Sequence, residues 1–549
     1  MADKEQEHLQ HAPGRTRIEI SKDLHSTSPK QMIASGKEQI GMGISVFEVI
    51  GPIMIGPSSS HTAGMVKIGE MAGKIINEPV TSIRLRFSPR LKRTYKGHRS
   101  DVGVIGGFLG ISPEDPDIRE SLNLAKEKGI EIEVEFLPDG VYPENTVEIT
   151  ASTKNEKSYS VCGTSVGGGS IALLEVNGKK IDASPEKWNV FCWTKEKPVT
   201  SVIEQYGGEV FEDEGFLSCF SFTSEPTKEV KYIKEELHPD KVSIVPPVFP
   251  YGSTGEKIHM GSCQAACDTA LKEGWGLDEV AIQYEMARSG HSKEQVMEQM
   301  MKHVRYMKLS VEKGMQPKKL LYGLVSGNDS QQLMRWIQNG DTVSGGIIPE
   351  AVAKAIGVME VNGGMGCVVA APTAGSAGVV TGSVFTLQDH RGLTDEEIAR
   401  ALFVSGLVGV IMNERGVSFS GAVGGCQGEI GVSSAIAAAA ITSLFTDDAE
   451  MVMHAMALCT KNILGLVCDP IAGPVEVPCI KRNAIGVSNA FISADMALAG
   501  IQSFIPPDEV IDALIDVEKR LPKELKGAAI GGLASTPTAR EVRSRLHGI

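Results

Sequence analysis

The period of the apolar positions changes along the chain. Between residue 41 and about residue 182 the apolar runs are short and strand-like. Ser82–Phe87 (SIRLRF) alternates polar and apolar residues, the pattern of a half-buried strand. Ile130–Phe136 and Thr146–Ala151 also read as strands, and Ser165–Gly169 (SVGGG) reads as a turn between two more. Asp117–Lys128 reads as a helix, with Pro116 suited to its start. Order is expected to begin near Ser45, where Val46–Ile50 runs into a turn rich in glycine and serine. Residues 1–40 are polar, with little periodicity, and are expected to form a mobile tail.

Residues 185–250 form a compact third segment. Trp188–Trp193, Glu209–Phe211, Phe216–Phe222 and Val242–Val245 read as strands, and Val199–Tyr206 and Lys228–Leu237 as helices. The order βαββαβ predicts a ferredoxin-like module. Pro246, Pro247, Pro250 and Gly252–Gly255 then predict a linker over 251–275. Beyond 275 the pattern becomes helical. Asp278–Ala287 and Ser292–Gly314 come first, the second with Ser292 as cap. Long Ala, Ile, Leu and Gly runs follow to about residue 505. Helices apolar nearly all round belong in a core. The predicted fold is therefore an α+β N-terminal part of mixed strands and helices, including the ferredoxin-like module, followed by a mainly α helical-bundle domain over 276–549. A chain of 549 residues is long enough for about three domains.

Composition narrows the partners. The net charge is -14 and no long basic run occurs, which argues against nucleic acid. The first 40 residues carry no apolar leader. The richest apolar stretches, Ile436–Leu444 and Ala455–Val467, are too short or too interrupted for a bilayer, so no membrane association is expected. The 10 Cys, in a chain without a leader, read as thiols or metal ligands in a reducing compartment, which predicts a cytoplasmic protein.

Candidate chemistry begins with Gly56-Pro57-Ser58-Ser59-Ser60-His61-Thr62-Ala63-Gly64. Ser59, Ser60 and Thr62 offer hydroxyls, and backbone N–H groups at the following helix start can hold a carboxylate. His61 has the pKa range for proton abstraction near neutral pH. The same turn would also suit a capping segment with a surface histidine. His98, in Lys96-Gly97-His98-Arg99-Ser100-Asp101, is a second candidate acid/base, or a plain loop residue. Two glycine-rich segments could hold an anion or simply break helices. The first contributes Ser326, Asn328 and Asp329, and the second contributes Thr373 and Ser376. Cys162, Cys192 and Cys219 lie in strand-like runs and read as packing residues. Cys263 and Cys267 lack a matching second pair. Cys367 and Cys459 sit in apolar runs. Cys426, Cys468 and Cys479 each lie beside or near Gly or Pro, where helices break, and could converge on one metal, either an iron–sulfur cluster or zinc.

Together these segments resemble the iron–sulfur L-serine dehydratase family, over nearly the whole chain after residue 40. GPSSSHTAG within Ser45–Gly69, Thr94–His98 and Gly163–Gly169 are similar to that family's β part. Ala370–Val380, Ser418–Gly431, Gly465–Ala484 and Gly531–Thr538 (GGLASTPT) are similar to its α part. The resemblance implies a [4Fe–4S] cluster held by Cys426, Cys468 and Cys479, with one iron free for substrate and no pyridoxal phosphate. It implies that His61 removes the Cα proton of L-serine, that water leaves, and that 2-aminoacrylate yields pyruvate and ammonia. It also implies an ACT-like character for residues 185–250, where Glu196-Lys197-Pro198-Val199 stands in place of a clear ligand signature. A homodimer acting on a small molecule is expected.

The chain departs from the family pattern at Arg99, at Tyr142 and at Arg415. Arg99 or Arg415 could pair a second anionic group on a related hydroxy or amino acid; both could equally be solvent-exposed. A third reading is a catalytically inactive amino-acid-binding regulator.

Overall fold

The computed structural model describes residues 43–549, apart from Glu214, Pro250, Gly255, Lys257, Asp341, Gly548 and Ile549. The expected tail, 1–40, lies outside the described residues. The ordered chain opens on a capping box. Ser45 Oγ accepts from the Phe47 N–H, and Glu48 accepts from the Ser45 N–H, which starts the short helix Val46–Val49.

Strand β1 (Ile53–Ile55) leads through the serine turn to the helix Gly64–Ile76. Six strands follow: β2 (Val80–Phe87), β3 (Glu131–Phe136), β4 (Thr146–Thr153), β5 (Ser158–Gly167), β6 (Ser170–Val176) and β7 (Lys179–Lys180). They form one sheet in the order β3-β2-β4-β5-β6-β7, parallel only between β2 and β3. The alternation read in SIRLRF is what places Ile83, Leu85 and Phe87 in the core while Arg84 and Arg86 reach Glu133 and Glu148. The helices Gly64–Ile76 and Ser100–Phe108 approach backbone to backbone. A Cβ on Gly69 would lie 2.0 Å from the Val104 carbonyl, so glycine is required at that crossing.

The second sheet comprises β8 (Trp188–Thr194), β9 (Glu209–Asp213), β10 (Gly215–Phe222) and β11 (Lys241–Val245), with the helices Thr200–Tyr206 and Thr227–Leu237 between them. Its order is β11-β8-β10-β9, antiparallel throughout. Val190, Cys192, Phe220, Val230 and Ile233 form its own small core. Strand β11 rests on the first region: Ser243 Oγ donates to the Ile75 carbonyl at 2.7 Å, and Lys241 pairs with Glu78 at 2.9 Å.

The remainder is mostly helical. Helices Ile348–Gly363, Ala377–Arg391, Asp395–Glu414, Val432–Ser443 and Cys479–Leu498 pack around one another, and Val432–Thr442 is buried on every side. One short strand, β12 (Cys367–Val369), pairs with β1 and stitches the two halves together. Between the two regions runs the segment 251–275, expected from its sequence to be a linker. It contains a helix, Cys263–Glu273, capped by Ser262 Oγ on the Ala265 N–H. The Asp508 carboxylate also accepts from its first N–H groups, at Cys263 and Gln264. A contact with a residue far along the chain thus holds the start of this helix. Among the described residues, no helix is long and apolar enough to cross a membrane.

Candidate active site

Three breaks between core helices bring the cysteines together. Cys426 follows Gly424-Gly425 and precedes the π-helical turn Gln427–Gly431, which runs into the helix Val432–Ser443. Cys468 lies in extended chain, its N–H donating to the Leu525 carbonyl at 2.8 Å and its carbonyl accepting from Gly527 at 2.7 Å. Cys479 opens the helix Cys479–Leu498. The donor atoms of Cys426, Glu429 and Cys468 all lie within 4.8 Å of one another. Cys479 is within electrostatic reach of Cys426, Cys468 and Glu429.

The hydrogen bond with Cys426, followed by burial, pushes the Cys468 thiol well up; burial, followed by the Cys426 and Glu429 charges, does the same for Cys479. Burial also pushes the Glu429 carboxyl up to about 7. Without a cation beside them these donors hold their protons. Cys459 is separate, its sulfur bonded to Ser434 and Asn489 at 3.0 Å each.

Sequence reasoning missed the groups that surround these sulfurs. Arg482 Nη1 lies 3.6 Å from Cys426 Sγ and donates to the Val467 carbonyl at 2.6 Å, while Nη2 pairs with Asp469 at 2.7 Å. Asp469 in turn accepts from the Leu533 N–H at 2.8 Å, which anchors the GGLASTPT segment. Glu429 was detectable in principle, as the only charged residue between Arg415 and Asp447. Arg482 and Asp469 carry no such signal.

The serine turn supplies the histidines. Residues Ser59–Ala63 form a π-helical turn, and the His61 ring stacks on His98 with centroids 4.4 Å apart. Ser58 Oγ lies 3.1 Å from His61 Nδ1 and accepts from the His61 N–H. Thr62 Oγ1 donates to the His98 carbonyl at 2.7 Å, joining the two histidine loops. His98 is hydrogen-bonded to the backbone of Gly473, and Gly97 lies against Gly473 and Pro474. The pair therefore rests on the loop that connects Cys468 to Cys479. Arg90 ties the same region down: it pairs with Glu144 and donates to the Ala422 and Lys526 carbonyls, at 3.3 and 2.5 Å.

Burial lowers His61 to about 4 despite the nearby Asn145 side chain, and burial followed by the His61 charge holds His98 well below the usual range. Both rings are neutral at pH 7. A third neutral histidine, His303, is buried in the core, stacked on Phe47 and also lowered to about 4 by burial. Unfolding returns such groups to the ordinary value near 6.5. The unfolded chain then binds more protons between pH 6.5 and 4, so stability falls as pH drops through that window. For His303 the whole shift is worth on the order of 3 kcal/mol. Thermal melts at pH 7 and pH 5 are expected to show a lower Tm at pH 5, and His303→Gln should reduce the difference. An identical Tm at both values counts against neutral buried rings.

The remaining candidate residues divide by what they touch. Ser59 Oγ accepts from the Ala374 N–H at 3.3 Å, which docks the serine turn on the 371–378 loop. Ser60 is buried nearby in the same turn. Thr373 reaches Glu429, and its hydroxyl lies 3.1 Å from Ser376, which donates to the Ala371 carbonyl. Ser326 donates to Asn328 and Asp329, and Asp329 pairs with Lys481 at 3.2 Å. This loop is latched to the cysteine loop through Glu476, which accepts from the Tyr322 and Leu324 N–H groups, and to the histidine loop through Tyr322 Oη, which donates to the Lys96 carbonyl. Arg99 stands next to His98 in the left-handed region, with its Nε buried and without a hydrogen-bond partner. The Arg415 guanidinium is held by Asp508 and Asp512, at 3.5 and 2.7 Å.

Comparison with known proteins gives matches on both sides of this site. The family described as serine dehydratase beta chain matches residues 45–175, and serine dehydratase alpha chain matches residues 272–534. A probable L-serine dehydratase alpha chain from Bacillus subtilis (strain 168) is 46% identical over 272 residues, covering 50% of this chain and 90% of that one. The L-serine dehydratase alpha chain of Peptoniphilus asaccharolyticus is 33% identical over 285 residues, or 52% of this chain and 97% of that one. L-serine dehydratase 1 of Escherichia coli (strain K12) is 29% identical over 524 residues, or 89% of this chain and 98% of that one. With the histidine turn in the beta match and the three cysteines in the alpha match, the chain belongs to the serine dehydratase family and carries both parts on one polypeptide.

Proposed function

We propose that this chain is a [4Fe–4S]-dependent L-serine ammonia-lyase that converts L-serine to pyruvate and ammonia. The observation that carries the reading is the close approach of Cys426 and Cys468 at two helix breaks, with Cys479 within electrostatic reach and a neutral histidine pair seated on the loop from Cys468 to Cys479. The donor set fits the group: soft thiolates are the usual ligands of such clusters, and Arg482 beside Cys426 suits the negative charge of a thiolate-bound centre. Cys426, Cys468 and Cys479 would hold it. Such a cluster, when bound, supplies a Lewis-acidic iron that activates a hydroxyl as leaving group.

The chain's own residues supply the rest. His61 is neutral at physiological pH and therefore free to accept a proton. With Nδ1–H donating to Ser58 Oγ, Nε2 is left to take the Cα proton of serine. His98, stacked on that ring, fixes its plane and keeps water off one face. The imidazolium that forms has the Asn145 side chain beside it. Ser60, Thr373 and Arg99, whose Nε has no hydrogen-bond partner, are assigned to the substrate carboxylate, whereas Ser59, Thr62 and Ser376 hold the loops in register. The carboxylates Asp508 and Asp512 already balance the Arg415 charge, so this reading places no second anionic group of the substrate there.

We include two wider features in the proposal. The strand order of residues 188–245 is that of a ferredoxin-like split βαβ sheet, which supports an ACT-type regulatory module. A saturation curve for serine that stays hyperbolic counts against a regulatory role. Iron–thiolate chemistry suits a reducing cytoplasm.

The deciding experiment is anaerobic purification with iron and sulfide analysis, followed by a pyruvate assay on L-serine. Light scattering on the same sample is expected to give a homodimer, twice the 58.6 kDa of the chain. A colourless, iron-free protein, or one that turns over no serine, ends the proposal. Arg482→Gln removes the guanidinium next to Cys426 and is expected to lower iron retention or activity about 10–100-fold, the usual cost of an outer-shell partner; unchanged iron and turnover would remove Arg482 from the site.

A further inference from the structure

We propose that Glu429 is the fourth protein donor of the metal centre, occupying the iron that the three cysteines leave open until substrate displaces it. This rests on the iron–sulfur reading above and adds a ligand that the cysteine pattern does not show. The geometry carries it. Glu429 Oε2 lies 3.9 Å from Cys468 Sγ, and its donor atom belongs to the same set, within 4.8 Å, as the Cys426 and Cys468 sulfurs.

The pocket is shaped around that carboxylate. A Cβ on Gly421 would lie 2.4 Å from Glu429 Oε2 and 3.1 Å from Cys468 Sγ, so a side chain at 421 would have to displace the carboxylate from its place beside Cys468. A Cβ on Gly375 would lie in ordinary contact with Glu429 Oε1, at 3.5 Å. The turn Gln427–Gly431 is π-helical rather than α-helical, and it places Glu429 three residues after Cys426 on the same break. Other partners are scarce. Thr373 and Cys468 are the side chains that hydrogen-bond it. Arg482, the nearby guanidinium, donates to the Val467 carbonyl and to Cys426 Sγ and forms its ion pair with Asp469. No ion pair joins Glu429 to a basic residue among the described residues. Carboxylate is a harder donor than thiolate and exchanges with a substrate carboxylate without any change in charge, which suits a displaceable position.

The test is electron paramagnetic resonance of the reduced, anaerobic holoenzyme in water enriched in oxygen-17. If Glu429 occupies the open iron, the substrate-free wild type shows no oxygen-17 broadening. Glu429→Gln and Glu429→Ala admit water there and show it, and saturation with L-serine removes the difference between wild type and variants. Broadening in the substrate-free wild type overturns the inference and needs no variant to fold. Variants that load iron fully and stay unbroadened also overturn it. Both results leave the cysteine assignment intact. A wild type that takes up no iron overturns the cluster reading and this inference with it.

Discussion

Cys468→Ser is expected to reduce pyruvate formation from L-serine to background and to strip iron from the purified protein. The loss should exceed the roughly 100-fold typical of an outer-shell partner, because a ligand itself is removed. The fold should survive. The backbone of Cys468, not its sulfur, bonds Leu525 and Gly527, and serine keeps the volume of the site nearly unchanged. Cys459→Ser is the matched control. That thiol is just as buried, but its partners are Ser434 and Asn489, and its loss should leave iron and turnover in place. Full iron in the Cys468 variant, or iron loss in the Cys459 variant, would contradict the assignment of the ligands.

His61→Ala is the second large effect. Removing a general base costs about 10²–10⁴-fold in rate. Iron content should stay at the wild-type level, because His61 lies in the serine turn and not among the sulfurs. The informative readout is exchange of the Cα hydrogen of serine in heavy water, which should fall in step with kcat. The pH profile carries the sign. A base whose pKa is lowered to about 4 by burial remains unprotonated as pH drops through 6.5, so kcat/KM should hold there and fall only nearer pH 4 to 5. An acid limb centred at 6.5 that disappears in the variant would mean that His61 is solvated, against the stacking on His98. Turnover within a few-fold of wild type would remove His61 from proton transfer altogether.

Several elements were legible from local pattern alone. SIRLRF alternates with period two, and a half-buried strand is the only regular element that satisfies that period. The βαββαβ order over 185–250 was recoverable because each element there is short, bounded by turn residues and built around its own core. The apolar helices over 432–442 were legible because burial on all faces leaves no polar stripe. The anchoring of the helix Cys263–Glu273 was not legible, because Asp508 holds its N-terminus and no local window contains that residue. Glu429 was missed because a single charge in an apolar run reads alike whether it faces a metal, a partner or water, and Arg482 because one of two adjacent basic residues reads as part of a solvated face.

The sequence by itself singled out the segments proposed to bear chemistry: the serine turn with His61, the glycine-flanked Cys426, and Cys468 and Cys479 near proline. Glycine, proline and clustered hydroxyls are constraints on local backbone, and local backbone is written in neighbouring residues. Only the tertiary structure decided which of those segments meet. The stacking of His61 on His98, the seat of that pair on the Cys468–Cys479 loop, and the place of Glu429 against Cys468 all depend on helices packing across hundreds of residues. That packing is set by the sum of many weak apolar contacts, and no single motif encodes it.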